Sequence, residues 1–168
     1  MPAKTQISQS LRNRGLAGLT KYVNRISIFL HQSESMEIIE TTISSAVDGL
    51  IIKHFSDNEG LINVNINRVW DMKRLYPKRT FLEFYGVSDV QIMCSALTQL
   101  IPRILAAKKG MLSAKIETAP DYLTMDELKD ITEAFEVKGI TKSMRGIGFN
   151  MDIQSKHLNC FVVVFHSE

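Results

Sequence analysis

Residues 158–166 read LNCFVVVFH, and every side chain from Phe161 to Phe165 is apolar. Val and Phe favour extended backbone, and a short apolar run between polar residues is typical of a buried strand. We therefore expect the most deeply buried strand of the fold at this position. Residues 145–154 come shortly before it, and we expect the two segments to form a terminal hairpin.

Two Ile-rich segments nearer the N-terminus are also predicted strands. Residues 36–43 (MEIIETTI) are rich in β-branched side chains, and residues 47–55 (VDGLIIKHF) follow closely. Residues 56–60 (SDNEG) supply turn chemistry. Apolar and amide side chains then alternate with a period of two, at Ile62, Asn63, Val64, Asn65, Ile66 and Asn67. This alternation predicts a half-buried antiparallel strand that ends near Val69 and forms a hairpin with residues 47–55.

The clearest helix prediction runs from Val90 to Lys109. Ser88 is a suitable N-cap, and Gly110 is a suitable residue just beyond the C-terminus. Pro102 lies inside the pattern and predicts a kink or a split, because proline removes one backbone donor and collides with the preceding turn.

A second helix is predicted to begin at a capping box. Thr124 and Glu127 have the spacing that satisfies two of the free backbone N–H groups at a helix start, and Gly139 would end the helix. Short strands are predicted at residues 80–85 (TFLEFY) and 111–118, on either side of the first helix.

Together these segments predict an α+β fold, with a mainly antiparallel sheet packed with two or three helices. A chain of 168 residues can bury a core without disulfides or metals. We expect one globular domain over residues 34–168. Residues 1–33 are predicted to form a basic N-terminal arm that is partly flexible or a marginal helix.

Cations are concentrated in this arm, which contains no Asp or Glu although the whole chain has a net charge of only +2. The cations are Lys4, Arg12, Arg14, Lys21 and Arg25. Such an arm suits a polyanion, either nucleic acid or an acidic lipid surface. An inert flexible tail is the alternative interpretation.

A second basic cluster follows at residues 68–79, where cations are interleaved with Trp70 and Tyr76. Its members are Arg68, Lys73, Arg74, Lys78 and Arg79. Cations neutralise phosphates, while aromatic rings stack on bases or settle at a lipid interface, so this cluster is also a predicted polyanion site. A solvated loop whose aromatic rings face the core is the alternative.

Acids are concentrated in the helix that the capping box opens. They are Asp126, Glu127, Asp130 and Glu133. We expect this acidic face to contact basic parts of another copy, because opposite charges on separate parts of one chain favour head-to-tail association. A solvated outer face would look the same in the sequence.

Sequence patterns typical of catalysis are weak. Residues 145–148 (RGIG) lack the third glycine of a nucleotide-binding loop and are predicted to be a turn. Cys160 and His166 are too far apart along one strand for proton transfer. The histidines lack metal-ligand spacing, and Cys94 is predicted, like Cys160, to be a buried free thiol. We expect no enzymatic activity, no metal and no cofactor.

One segment resembles a known family. Trp70-Asp71 is followed by Lys78-Arg79 and by an aromatic strand that ends at Gly86, and in this the chain resembles the matrix proteins of rhabdoviruses. The arm lacks the Pro-Pro-x-Tyr and Pro-Thr/Ser-Ala-Pro budding motifs, so the resemblance favours a plant-infecting member. It implies a non-enzymatic viral structural protein that self-associates and bridges the nucleocapsid to a membrane.

The predicted partners are therefore the chain itself, a nucleoprotein or RNA, and an anionic membrane surface bound only peripherally, with no small-molecule substrate. A nucleic-acid-binding or regulatory module that uses the same basic clusters is the alternative. The sequence shows no signal peptide pattern and no apolar segment of membrane-spanning length. We expect a cytoplasmic protein that is not secreted and, on the matrix interpretation, a component of the virion.

Overall fold

The structure is a computed structural model that describes residues 23–29, 35–56, 62–150 and 158–167; for residues 23–29 and 35–38 the description covers the backbone alone. The elements in chain order are β1 (Val23–Phe29), β2 (Ser35–Thr41), α1 (Ser44–Phe55), α2 (Ile66–Leu75), β3 (Lys78–Val87), α3 (Val90–Leu105), β4 (Gly110–Glu117), α4 (Met125–Ala134), β5 (Arg145–Asn150) and β6 (Leu158–His166). A 3₁₀ turn, Lys142–Met144, precedes β5.

The strands form one six-stranded sheet in the order β1-β2-β3-β6-β4-β5. Neighbouring strands are antiparallel except β4 and β5, which run parallel. This arrangement confirms the predicted α+β fold with a mainly antiparallel sheet. The described residues form four α-helices, where the sequence predicted two or three.

The central position of β6 explains its unbroken apolar sequence. Cys160, Val162 and Val164 belong to a core that also contains residues of α3 and α4. Phe161, Val163 and Phe165 belong to a second core with residues of α1 and α2. Because successive side chains of a strand point to opposite faces, a strand covered by helices on both faces needs apolar side chains at nearly every position. The predicted buried strand is therefore confirmed.

The predicted hairpin of residues 145–154 with β6 is wrong. β6 lies between β3 and β4, while β5 occupies the edge of the sheet beside β4. Residues 145–148 are part of β5, not a turn. Ile62 pairs with this strand through two backbone hydrogen bonds with Phe149, and a Cβ on Gly148 would lie 2.9 Å from the Ile62 carbonyl oxygen. The glycine therefore permits a close backbone approach.

The predicted hairpin of residues 47–55 with 62–69 is also wrong. Residues 47–55 belong to helix α1, in which Val47, Ile51, His54 and Phe55 are buried. This spacing of four, three and one residues marks one helix face. β-Branched content favoured a strand, but the helical period of the buried side chains prevailed.

Asn65 ends the predicted alternation by starting helix α2. Its side chain accepts a hydrogen bond from the Asn67 amide at 2.9 Å, which makes it the N-cap. Only Ile62 keeps a strand-like contact, an isolated bridge to Phe149. The helix cap at Asn65 therefore outweighed the alternation of apolar and amide residues, which was only three repeats long and had predicted a strand.

Helix α3 is confirmed, with different ends. Asp89, not Ser88, is its N-cap, and its carboxylate accepts from the amides of Gln91 and Ile92. The helix continues through Pro102 without a split. Pro102 leaves the carbonyl of Thr98 without its helical donor, and Thr98 is exposed, so water can satisfy this group. The helix ends before Ala106, well short of Gly110.

Helix α4 confirms the capping box. Thr124 and Glu127 exchange side chain to backbone hydrogen bonds of 3.1 and 3.0 Å. The helix ends at Ala134, before the predicted stop at Gly139.

Residues 23–29 of the predicted arm form β1, which pairs with β2 at the sheet edge. The marginal helix predicted for the arm is therefore wrong at residues 23–29. The predicted strand over residues 36–43 is confirmed as β2, and those over 80–85 and 111–118 are confirmed as β3 and β4.

Candidate binding surfaces

The 68–79 basic cluster lies on helix α2 and on the first residues of β3. The structure divides its five cations into exposed and structural members. Arg68, Arg74 and Lys78 are exposed, whereas Lys73 is half-buried and Arg79 is buried. The sequence pattern could not show this division, because it depends on which cations face helix α1.

Asp48 of α1 explains why two of these cations are structural. Lys73 Nζ donates to Asp48 Oδ2 at 3.0 Å, and Arg79 Nη2 donates to the same oxygen at 3.0 Å. Arg79 Nε also lies 2.9 Å from Asp48 Oδ1, without the alignment of a hydrogen bond. One carboxylate thus joins α1, α2 and β3. In this conformation Arg79 is not available as a surface cation.

Two of the exposed members, Arg74 and Lys78, lie on either side of an apolar residue in the chain. Leu75 is 67% exposed at the end of α2, between Arg74 and the nearby Lys78. Arg74 forms a solvent-exposed pair with Asp71 at 3.1 Å, and such pairs contribute little to stability. Tyr76 is half-buried beside them, and Lys73 Nζ lies 5.5 Å from the centre of the Trp70 ring. We call Arg68, Arg74, Leu75 and Lys78 the α2 surface.

Arg68 extends the α2 surface toward the turn before β5. Its Nη2 donates to the Ser143 carbonyl, so the guanidinium lies over that turn. Lys142 is exposed on the same turn.

The arm cations are mostly outside the described residues. Lys4, Arg12, Arg14 and Lys21 lie there, and their predicted polyanion role stays a prediction. Arg25 is in β1, opposite Ile39 of β2 in the antiparallel register.

The acids of α4 have different environments. Glu127 is engaged in the capping box, and Asp130 accepts a hydrogen bond from Gln91 Nε2 at 2.8 Å. Glu133 faces Lys129 at 4.0 Å across one helical turn. Asp126 is exposed beside Met125, which is 80% exposed. The most open part of this acidic face is therefore the start of the helix.

A third group of cations, which the sequence analysis did not single out, lies where α3 ends. Lys108 and Lys109 follow α3, and Lys138 precedes Gly139, whose carbonyl accepts from the Gly110 amide at 3.3 Å. All three lysines are exposed. We call Lys108, Lys109 and Lys138 the basic pole. Lysines 29 residues apart in the sequence meet here only through the fold, so no local pattern could have predicted the group.

His166 shows that Lys78 lies close to this pole. It is paired across the sheet with Lys78 on one side and Gly110 on the other. Burial lowers the pKa of His166, and the positive charges of Lys78 and Lys108 lower it further, against an opposing hydrogen bond to the Ser167 carbonyl. Both lysines therefore act electrostatically on one imidazole.

A buried pair of polar side chains lies under α1. His54 Nε2 is 2.8 Å from Glu83 Oε1, and the His54 ring stacks on Phe161 with 3.7 Å between ring centres. Lys115 Nζ lies 3.8 Å from Glu117 Oε2 on the same sheet face. The contact between His54 and Glu83 was not predicted from the sequence. The two residues were placed in two separate strands, and nothing in the sequence indicates that the two side chains meet.

The cleft beside His54 is small. It is lined by His54, Phe55, Ile62, Asn63, Val64, Lys115 and Gly148 and contains about 200 Å³ of empty space that opens to solvent. The enclosed part of this space has room for about one water molecule, far less than a small-molecule site needs. His54 and Glu83 are engaged with each other across α1 and β3, which suits a structural role in docking this helix.

The two cysteines are buried free thiols, as predicted. Burial, together with the negative charge of Asp130, raises the pKa of Cys94 to about 11. Burial also raises the pKa of Cys160. The thiolate is the nucleophilic form, so both described thiols are held in their unreactive state.

Within residues 23–29, 35–56, 62–150 and 158–167, no group of three or more metal-binding side chains comes together. No helix among these residues is both long enough and apolar enough to cross a bilayer.

Comparison with known proteins places the chain in no family. No family model matches it, and no curated protein matches it. Among solved structures, an FtsZ W319Y mutant from M. jannaschii is similar with a TM-score of 0.44 and 19% sequence identity. The match covers 72% of this chain and 36% of that chain. A likeness at this level carries no argument about function.

Proposed function

We propose that this chain is a non-enzymatic structural protein, similar in role to a rhabdovirus matrix protein, that self-associates and bridges a nucleoprotein to an anionic membrane. Such a protein would act in the cytoplasm and in the virion. The α2 surface carries the proposal, because it combines exposed cations with one exposed leucine. Each cation near an anionic bilayer contributes about 1 kcal/mol, and the leucine adds apolar contact at the lipid boundary.

The electrostatic arrangement supports peripheral rather than deep binding. Arg74 and Lys78 are exposed, while the neighbouring Lys73 and Arg79 are fixed by Asp48 and hold α2 in place. A rigid helix that presents Leu75 between cations loses little conformational freedom when it meets a surface.

Flotation with phosphatidylserine-containing vesicles tests the membrane half of this proposal. Arg74→Glu should weaken vesicle binding roughly thirtyfold, because a reversal removes one favourable charge and adds an unfavourable one, about 2 kcal/mol in all. Lys129→Glu is the matched control, since Lys129 is also an exposed helical cation in a surface pair but lies on α4. Equal binding by Arg74→Glu and the unmodified chain would contradict the assignment of the α2 surface.

A nucleic-acid-binding module is the second candidate, and the ring of Trp70 favours it. Lys73 lies over this half-buried ring, and Tyr76 is half-buried at the end of the same helix. Cations beside aromatic rings suit single-stranded RNA, which binds by charge and by stacking. RNA affinity that falls steeply with salt, without any vesicle binding, would favour this candidate.

A further inference from the structure

Helix α3 separates two surfaces of opposite charge. Gln91 in its first turn donates to Asp130 in the middle of α4, and Tyr122, just before α4, donates to the carbonyl of Val87, just before α3. The start of α4 therefore lies toward the start of α3. Gly139, beyond the end of α4, bonds to Gly110, beyond the end of α3. The two helices therefore run side by side in the same direction. A helix of 16 residues is about 24 Å long at 1.5 Å per residue, which sets the scale of the separation.

The surface near the start of α3 is acidic and has an apolar centre. Asp121 and Asp126 are exposed, and Asp130 is half-buried. Met125 lies among them and is 80% exposed, the highest value among the exposed large apolar residues of the described chain. We call Asp121, Met125, Asp126 and Asp130 the acidic pole. An exposed apolar side chain within a charged rim is the usual composition of a protein docking surface.

The basic pole at the other end has a matching composition. Ala106 and Ala107 are exposed and adjoin Lys108 and Lys109. Both alanines have left-handed backbone, with φ of 51° and 63°. This conformation costs roughly 1 kcal/mol for each non-glycine residue, and it forms the bend that presents the lysines.

The loop that carries Lys138 is fixed against this bend. Gly139 has φ of +97°, and a Cβ there would lie 2.8 Å from the Lys108 carbonyl oxygen. The close approach holds Lys138 beside Lys108 and Lys109 at this end of the molecule.

We propose that the basic pole of one copy docks on the acidic pole of the next, so that the protein assembles head to tail. This inference rests on the proposed function and names the contact through which self-association occurs. The occupant is a second copy because the complementary surface is present on the same chain: three carboxylates around Met125 match three lysines around Ala106 and Ala107. The poles of one molecule lie at opposite ends of α3 and cannot satisfy each other. Two different surfaces joined in this way give an open chain of subunits or a closed ring, not a two-fold symmetric dimer.

Light scattering on two pole variants of the full chain tests the inference. The basic-pole variant is Lys108→Ala with Lys109→Ala and Lys138→Ala, and the acidic-pole variant is Asp121→Asn with Asp126→Asn. Each should raise the concentration needed for assembly at low salt by at least about tenfold. A variant with the same charge change as the basic-pole variant but away from both poles, Lys53→Glu with Lys142→Ala, should assemble like the unmodified chain.

Mixing the two pole variants gives the sharpest result. Each mixed pair has one intact basic pole and one intact acidic pole, so an equimolar mixture should form discrete dimers that do not grow. Pole variants that assemble like the unmodified chain would overturn the contact while leaving self-association intact. Loss of RNA binding by the basic-pole variant with unchanged assembly would assign that pole to a polyanion and overturn the inference. An unmodified chain that stays monomeric at every concentration would contradict self-association itself.

Discussion

Asp48 of α1 joins helix α2 and strand β3 through the two structural cations that adjoin the α2 surface. Its carboxylate is 29% exposed and pairs with Lys73 and with Arg79, whose side chain is only 7% exposed. Removing one partner of a buried pair leaves the other charge in a poorly solvated position, and this penalty exceeds the loss of the attraction itself. The cation pattern of residues 68–79 is therefore partly a structural pattern.

Asp48→Ala should lower the free energy of unfolding by about 3 kcal/mol, because Arg79 would be left buried without a carboxylate. Urea titration measures this change. Asp71→Ala is the matched control: its pair with Arg74 is solvent-exposed on both sides, so the expected change is below about 1 kcal/mol. Equal effects of the two substitutions would show that Arg79 finds another partner.

Cys94 gives a prediction about pH. Its pKa is raised from 9.0 to about 11 in the folded chain, which means that the folded state favours the protonated thiol. At pH 8 roughly 0.1% of this thiol is ionised, about a hundredfold less than for a thiol with a pKa of 9. Native alkylation with iodoacetamide should be correspondingly slow at pH 8 and accelerate up to about pH 11.

The same shift fixes the sign of the effect on stability. Below pH 9 the thiol is protonated in both the folded and the unfolded chain, and the stability of the folded state is not reduced by its ionisation. As the pH rises from about 9 to about 11, the unfolded chain ionises first and the folded state loses stability. Rapid labelling at pH 8 that is independent of unfolding would contradict the burial of Cys94.

Helices and strands were predicted correctly from the sequence where the residue pattern is compatible with only one type of secondary structure. The apolar run of β6, the capping box of α4 and the long apolar face of α3 are each consistent at several levels, and all three are present. Residues 47–55 contain both β-branched side chains, which favour a strand, and a helical spacing of apolar residues. The prediction from β-branched content was a strand, whereas the segment is a helix.

Strand order was beyond the reach of sequence patterns. β6 is inserted between β3 and β4, so the final two strands are not neighbours, although strands adjacent in sequence usually pair. The candidate binding surfaces likewise could be predicted only where their residues are close in the sequence. Arg74 and Lys78 are close in sequence and were predicted, whereas the basic pole joins Lys108 to Lys138 through a backbone contact of two loops.

The bend after α3 provides a prediction at this scale. Ala106→Gly should stabilise the chain by about 0.5 kcal/mol, because glycine removes the cost of left-handed backbone and this gain exceeds its greater freedom in the unfolded state. Ala96→Gly within α3 should instead destabilise by about 1 kcal/mol. Thermal unfolding of the two variants would show shifts of opposite sign. A lower melting temperature for Ala106→Gly would mean that the alanine methyl makes a contact worth more than the strain.

At the scale of the whole molecule, the net charge of +2 conceals the separation of charge. Cations lie on the α2 surface and at the basic pole, while acids gather around the start of α4. Helix dipoles favour acids at the start of α3 and cations at its end, but this effect is limited to the terminal turns. Asp126 is in the first turn of α4, where the dipole of that helix also favours an acid, whereas Asp121 and Lys138 lie outside the helices. The proposed docking between copies would use all three residues.

Salt should therefore control the size of the assembly. Screening shortens the range of charge interactions from about 10 Å at 0.1 M salt to about 3 Å at 1 M. Size-exclusion chromatography with light scattering should show growth beyond a dimer at low salt and smaller particles at high salt. A particle mass that is the same at both salt concentrations would contradict assembly through charged poles.

Bridging is the central claim, and flotation of a labelled RNA with phosphatidylserine-containing vesicles tests it most directly. RNA alone should stay at the bottom of the gradient, since both RNA and vesicle are anionic. With the protein present, RNA, protein and vesicles should float together at low salt and separate at high salt. If the protein floats while the RNA stays at the bottom, or if the RNA retains the protein there, the chain binds only one of the two partners and the bridging account is wrong.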